Sequence, residues 1–211
     1  KIAQALGHTI IDPFPALVQV QLDAPYLNQI SGVGLQGQAQ VWVDGKLQRT
    51  ESGEILFAKY GISGTVILQL SRPISESTLR GRDTQLRLDL FPALAHGALA
   101  ALIEERIAKN AGKPIEFSFV GFVHKRLIPV LLHLAGVQDL QRPCGDLARE
   151  EIERIASAMK EWTIPCSGTQ SWMFSQVTAG GVDVREVDPA TLESKRAPGV
   201  HFAGEVLDID G

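Results

Sequence analysis

Cysteine is scarce in this chain of 211 residues: Cys144 and Cys166 stand far apart, with no Cys-x-x-Cys and no histidine at ligand spacing. That excludes a disulfide scaffold and a structural zinc, and it predicts a reducing, cytoplasmic setting. Positive charge is also in short supply, with a formal net charge of −4 and a pI near 5.7. No Lys/Arg block interleaves with the few aromatics, so no nucleic-acid partner is expected. The longest apolar run, residues 127–135, is interrupted by Pro129 and His133, too short for a membrane span. His8, His96, His124, His133 and His201 are scattered, and Asp208 and Asp210 lack further oxygen ligands at a recognised spacing, so no metal is expected. Internal repeats and low-complexity tracts are likewise missing, and no signal peptide is expected. What is present is apolar content of 45%, enough for a sizeable core. The chain opens on Lys1 inside a helical pattern, Ile2 to Leu6, which predicts a piece cut from a longer polypeptide.

The pattern along the chain divides in three. A helix ending at Gly7 leads into a short β segment, His8 to Ile11, and Pro13 and Pro15 then mark a boundary. Ala16 to Leu22, Gln38 to Val43, Glu54 to Ala58 and Gln85 to Leu90 read as strands, with Asp44-Gly45 as a hairpin turn, and together they predict a barrel-like β region. Gly61-Ile62-Ser63-Gly64 reads as a tight turn. Its spacing does not match a Gly-x-Ser-x-Gly nucleophile elbow, and residues 65–71 stay undecided between strand and helix. A helical layer follows: Leu94 to Ile107, then Phe122 to Leu134 with Pro129 either kinking it or starting a new helix, then a helix from an Asp146 cap through Met159 to Trp162. Beyond Pro165 the pattern returns to β, with Phe174 to Thr178, Ala179 to Val182, and a last strand at Val200 to Ala203.

Two motifs carry candidate chemistry. Gly180-Gly181 after a strand reads either as a plain turn or as backbone open to a planar ring or phosphate. Gly204-Glu205, after the apolar run that ends at Ala203, reads either as a solvated strand end or as an acid presented to the hydroxyls of a dinucleotide. Tyr60 and Lys59, beside the turn at Gly61, are weak catalytic candidates. His8 and His201 stay open because both sit on the flanking segments.

Taken in order, Gly7-His8-Thr9-Ile10, Leu56-Phe57, Gly61-Ile62-Ser63-Gly64, Leu68 to Arg72, Val177 to Val182, Thr191 to Lys195 and Phe202 to Gly211 resemble the bacterial HI0933-like NAD(P)/FAD-dependent flavoprotein oxidoreductases over essentially the whole chain. The resemblance implies an α+β architecture in which a six-stranded β-barrel with helices, residues 14–168, is inserted into a Rossmann-type FAD domain. Residues 1–13 and 169–211 are then that domain's exit and return segments. The family's Gly-x-Gly-x-x-Gly element is missing here, so the fragment is expected to be inactive alone and not to retain FAD. The chain departs from the family's Leu-Phe-Thr-His and following Pro, carrying Ala58, Lys59 and Thr65 instead, which removes a group that titrates near neutrality.

The resemblance implies FAD as cofactor, NAD(P)H as electron donor, and the rest of the FAD domain and a small-molecule substrate as partners. Thr178, Gly180, Gly181, Gly204, Glu205, Asp208, Asp210 and Gly211 are the implied cofactor-side residues. Thr178 with Gly180 and Gly181 looks like the Thr-x-Gly-Gly of fumarate-reductase-type enzymes, and some family members reduce 3-dehydro bile acids. Both point to reduction of a double bond conjugated to a carbonyl. The competing expectation is a flavoprotein-associated binding module without turnover.

Overall fold

A computed structural model describes residues 1–209. The elements run α1 (Ile2–Ala5), β1 (Ile10–Ala16), β2 (Val20–Leu22), α2 (Leu27–Ile30), β3 (Gly34–Val43), β4 (Lys46–Ala58), β5 (Gly61–Ser63) and α3 (Thr65–Leu79). They continue with β6 (Thr84–Asp89), α4 (His96–Lys109), α5 (Ile115–Ser118), α6 (Leu127–Leu134), α7 (Arg149–Lys160), β7 (Trp162–Thr169) and β8 (Val177–Val182). Strands β2-β5-β4-β3-β6-β7 close into a barrel, and β1 pairs with β8 in a separate two-stranded sheet. The α+β expectation with a six-stranded barrel therefore holds.

The barrel follows from alternation. In β3, Ala39, Val41 and Val43 are buried while Gln38, Gln40 and Trp42 between them are half-exposed; β6 repeats this with Leu86 and Leu88 buried around Gln85 and Arg87. A period of two turns one face of each strand inward. Asp44-Gly45 forms the β3–β4 turn with both residues at positive φ, +48° and +73°, the backbone a two-residue hairpin demands. Helix α3 touches all six barrel strands, and Val66, Ile67, Leu70 and Ile74 are sealed from solvent, so it serves as the barrel's stopper. The helical layer packs α4 and α6 against α7, and Leu99, Ile103, Ile155 and Met159 join the barrel core. Lys160, at the end of α7, fastens the layer to the barrel: its Nζ donates to Asp89 Oδ2 at 2.7 Å and to the carbonyls of Phe91 and Leu94.

Several local expectations need correction. Pro13 and Pro15 do not end an element; they lie within β1, whose register with β8 shifts between Ile11 and Phe14. Ala16 to Leu22 is not one strand, because Leu17 takes φ +45° and breaks it before β2. Gly61 to Gly64 is not a turn: Gly61–Ser63 is a barrel strand between β2 and β4. The undecided stretch from Thr65 is helix, since closing the barrel's interior outweighs the strand preference of Thr65, Val66 and Ile67. Residues 122–126 are not helical, and Pro129 sits in the first turn of α6, where a missing N–H costs nothing. Asp146 lies in a preceding 3-10 turn, and α7 starts after Ala148, whose N–H donates to Glu151 Oε2 at 3.0 Å. The same helix stops at Lys160, and Trp162 begins β7. Residues 172–174 form a 3-10 turn before β8, and Val200 to Ala203 makes only a single bridge, His201 with Glu193. Among the described residues no helix is long and apolar enough to cross a membrane, and no group of three or more His, Cys, Asp or Glu converges as metal ligands do.

Since Leu70 is fully buried at the centre of the stopper, Leu70→Ala should cost about 2–5 kcal/mol. The check is a urea unfolding curve read by tryptophan fluorescence; a loss below about 1 kcal/mol contradicts the stopper role.

Candidate functional site

The two ends of the chain meet on the sheet of β1 and β8, which has two distinct faces. Val177 and Ala179 of β8 pack with Phe14 and Ala16 of β1 on one side, toward α3, whose Arg72 guanidinium lies 5.9 Å from the Phe14 ring centre. On the other side Val182 joins Ala3, Val187, Phe202 and Leu207. Strand β8 is flanked by β1 and by the segment at 206–208, where Val182 N donates to the Val206 carbonyl at 2.8 Å and Asp208 N to the Val182 carbonyl at 2.9 Å.

A cavity of about 640 Å³ opens on this second face, lined by α1, Ile10 and Pro13, by Thr178, Gly180, Gly181 and Val182, and by Phe202, Glu205 and Val206. It brings together four of the residues singled out from sequence: Thr178 and the two glycines on β8, and Glu205 on the rim. Its walls are mainly apolar, with a hydroxyl at Thr178 and an exposed carboxylate at Glu205. Apolar walls with a few placed polar groups fit a ring system bearing a hydroxylated chain. Gly204, with φ +78°, lies on the same turn as Glu205 but does not line the cavity. Asp208 lies behind β8, where its Oδ1 accepts the Gly180 N–H at 3.1 Å and Arg72 Nη2 at 2.9 Å. Asp210 and Gly211 lie outside the described residues. Lys59 and Tyr60 are exposed in the β4–β5 connection and do not line this cavity.

The reason for Gly180 and Gly181 is sharper than the motif alone implied. A Cβ on Gly180 would come within 2.7 Å of the Asp12 carbonyl oxygen, and one on Gly181 within 2.6 Å of the Val206 carbonyl oxygen. Their φ values of +84° and +127° also disfavour a side chain. The glycines therefore let three backbone segments pack together, and both border the cavity.

Reading the sequence residue by residue missed Arg72's part in this site, and also a polar network that joins the ends. His8 Nδ1 lies 3.1 Å from Glu186 Oε2, and His8 Nε2 lies 2.7 Å from Ser194 Oγ. This Ser-His-Glu order copies a hydrolytic triad, but the chemistry is closed off. Ser194 Oγ also accepts the N–H groups of Arg196 and Ala197 at 3.0 and 2.7 Å, and both Ser194 and His8 are buried. Glu186 further accepts Thr9 N–H and pairs with Arg196. The network is a clasp, and no local motif could have revealed it. His201 is exposed and stands outside it. Neither cysteine lines the cavity; Cys166 lies in β7, where burial pushes its thiol up to about 12.

The architecture is a closed six-stranded barrel with a helical layer, entered and left through a strand pair that walls a cavity. The comparisons give the class. The family model for the HI0933-like protein barrel and H2TH domain matches residues 14–177, and the chain belongs to the HI0933-like family. Over its whole length it is 29% identical to a 3-dehydro-bile acid delta(4,6)-reductase of Clostridium scindens, covering 51% of that protein. It is 26% identical to the ribosomal RNA dihydrouridine synthases of Escherichia coli and Haemophilus influenzae, covering 50% and 49% of them. The chain thus spans about half the length of the curated relatives it matches.

The clasp has a pH signature. The Thr9 N–H, with Arg196 beside it, holds the Glu186 carboxyl down at about 2, and Arg185 holds Asp183 at about 2. A carboxyl depressed in the folded state stabilises fully above the ordinary carboxylate range and loses that contribution as pH falls toward 2. Acidification from pH 5 to 2 should therefore release the terminal segments, seen as a falling protection factor at the Thr9 amide once the intrinsic pH dependence of exchange is divided out, with Glu186→Gln flattening the pH response. Equal acid sensitivity in Glu186→Gln contradicts the assignment.

Proposed function

We propose that this chain is the barrel-bearing part of a flavin-dependent reductase that adds hydrogen across a carbon–carbon double bond conjugated to a carbonyl. The observation that carries the reading is the convergence of Thr178, Gly180, Gly181 and Glu205 on one cavity of about 640 Å³. The division into an insert at 14–168 and flanking FAD-domain segments at 1–13 and 169–211 belongs to the same reading. Its support is that the core from Val20 to Ile164 is separate from the two small clusters formed by the chain's ends.

A bound flavin supplies hydride transfer, and the protein's task is orientation, exclusion of water and charge placement. Gly180, Gly181, Thr178 and Glu205 are the residues that would hold the flavin, the glycines by leaving backbone open to the ring, Thr178 by its hydroxyl, and Glu205 by a carboxylate that would accept from the hydroxyls of the attached chain. Both kinds of relative carry names that describe saturation of a ring double bond: a delta(4,6)-reductase and dihydrouridine synthases. In a 3-dehydro steroid and in uracil alike, that bond is conjugated to a carbonyl. The acidic balance of −4 favours a small molecule over a polyanion as the substrate here.

The deciding experiment measures NAD(P)H oxidation by the protein joined to a complete FAD domain, with a 3-oxo-Δ4 steroid in one arm and a uridine-containing rRNA fragment in the other. Turnover with the steroid alone is expected. Turnover with the RNA alone replaces the substrate, and flavin binding without turnover by any acceptor favours the binding-module reading. In the same protein Glu205→Ala should weaken FAD binding about tenfold, the scale of one charge-assisted hydrogen bond, as read by fluorescence quenching; unchanged affinity removes Glu205 from the site. Residues 1–211 alone should show no tight FAD binding by calorimetry.

A further inference from the structure

Asp208 stands between the barrel and the cavity wall. Its Oδ1 accepts Arg72 Nη2 at 2.9 Å and the Gly180 N–H at 3.1 Å, with Arg72 and Asp208 side chains 31% and 20% exposed. Arg72 occupies the middle of α3, the helix that touches every barrel strand, and its guanidinium also lies over Phe14 on β1. Gly180 borders the cavity with its backbone. One arginine on the stopper therefore reaches the strand that walls the candidate flavin site through the Asp208 carboxylate. A partly buried charge-assisted bond of this kind is stronger than its exposed counterpart and fixes geometry as well as energy.

We infer that Arg72 is a positioning residue for the cavity-lining strand: acting through Asp208, it holds the Gly180 amide in place and cancels the negative charge that Asp208 would otherwise set beside the cavity. The clamp itself stands on the hydrogen bonds; the charge effect rests on the flavin reading proposed above. Substrate-side structure and cofactor-side structure are then joined mechanically, because any shift of α3 in the barrel is felt at Gly180. Neutralising Arg72 leaves an uncompensated carboxylate near the bound ring, which disfavours the electron-rich reduced flavin.

Two measurements test the inference. In residues 1–211, Arg72→Gln should speed hydrogen exchange at the Gly180 amide about tenfold, with β3 and β6 amides unchanged. If that variant fails to fold, Asp208→Asn, which keeps the arginine and the shape, should loosen Gly180 in the same way. In the flavin-loaded protein, Arg72→Gln should move the flavin midpoint potential to more negative values and lower kcat with little change in KM. Adding Asp208→Asn should bring the potential back, and Arg72→Lys should keep most of the wild-type value. Unchanged Gly180 exchange in a folded variant overturns the clamp whether or not flavin binds. Faster exchange with an unmoved potential overturns the charge role, and with it the placement of flavin at this strand, while leaving the clamp in force.

Discussion

The pairing of β1 with β8 is the constraint on which the rest of the molecule depends. It brings together the two ends of an excursion running through residues 17–176. Closing a flexible loop of that length carries an entropic cost on the order of 4–5 kcal/mol beyond a constant. The excursion meets that cost by folding on its own core: the barrel and helical layer share one apolar cluster from Val20 to Ile164. Two short strands alone are only marginally stable, so the clasp of His8, Glu186 and Ser194 and the backbone contact at 206–208 reinforce them on one side. On the other side, α3 leans against Phe14 through Arg72. The cavity opens on the face away from α3, between α1, β8 and the segment at 202–206.

Closure of the barrel explains the odd composition of α3. A helix containing Thr65, Val66, Ile67, Ser71, Pro73, Ser75, Ser77 and Thr78 has weak intrinsic propensity. Its hydroxyls turn back on the helix: Ser71 Oγ donates to the Leu68 carbonyl, Ser77 Oγ to Pro73 and Thr78 Oγ1 to Ile74. Those bonds satisfy the polar groups in a place where water cannot, so small hydroxylated residues let the helix fit where bulkier polar ones would not. Tertiary burial then overrides local preference.

This contrast sets what the sequence could reveal. Alternation in β3 and β6 and the Asp44-Gly45 turn are local, and they were legible because a half-buried strand writes its period directly into the chain. The helical state of residues 65–71 was not, since its cause is the six strands around it. At the site the pattern repeats. Gly180-Gly181 announces a backbone that tolerates no side chain, but the atoms that forbid one belong to Asp12 and Val206, and nothing near the motif points to them. The partnership of Arg72 with Asp208 and that of His8 with Ser194 bridge residues far apart in sequence and leave no spacing to read. Positions of interest were visible, whereas their neighbours were not.

The prolines in β1 carry one more consequence. Pro13 and Pro15 remove two backbone donors from a strand of seven residues that pairs with β8. An exposed strand edge invites a stranger's backbone, and proline is among the few residues that deny it a continuous ladder. Past β8 the sheet is continued by the contact of Val182 with residues 206–208. With two donors fewer, β1 is a poorer template for a further strand than an unbroken ladder would be.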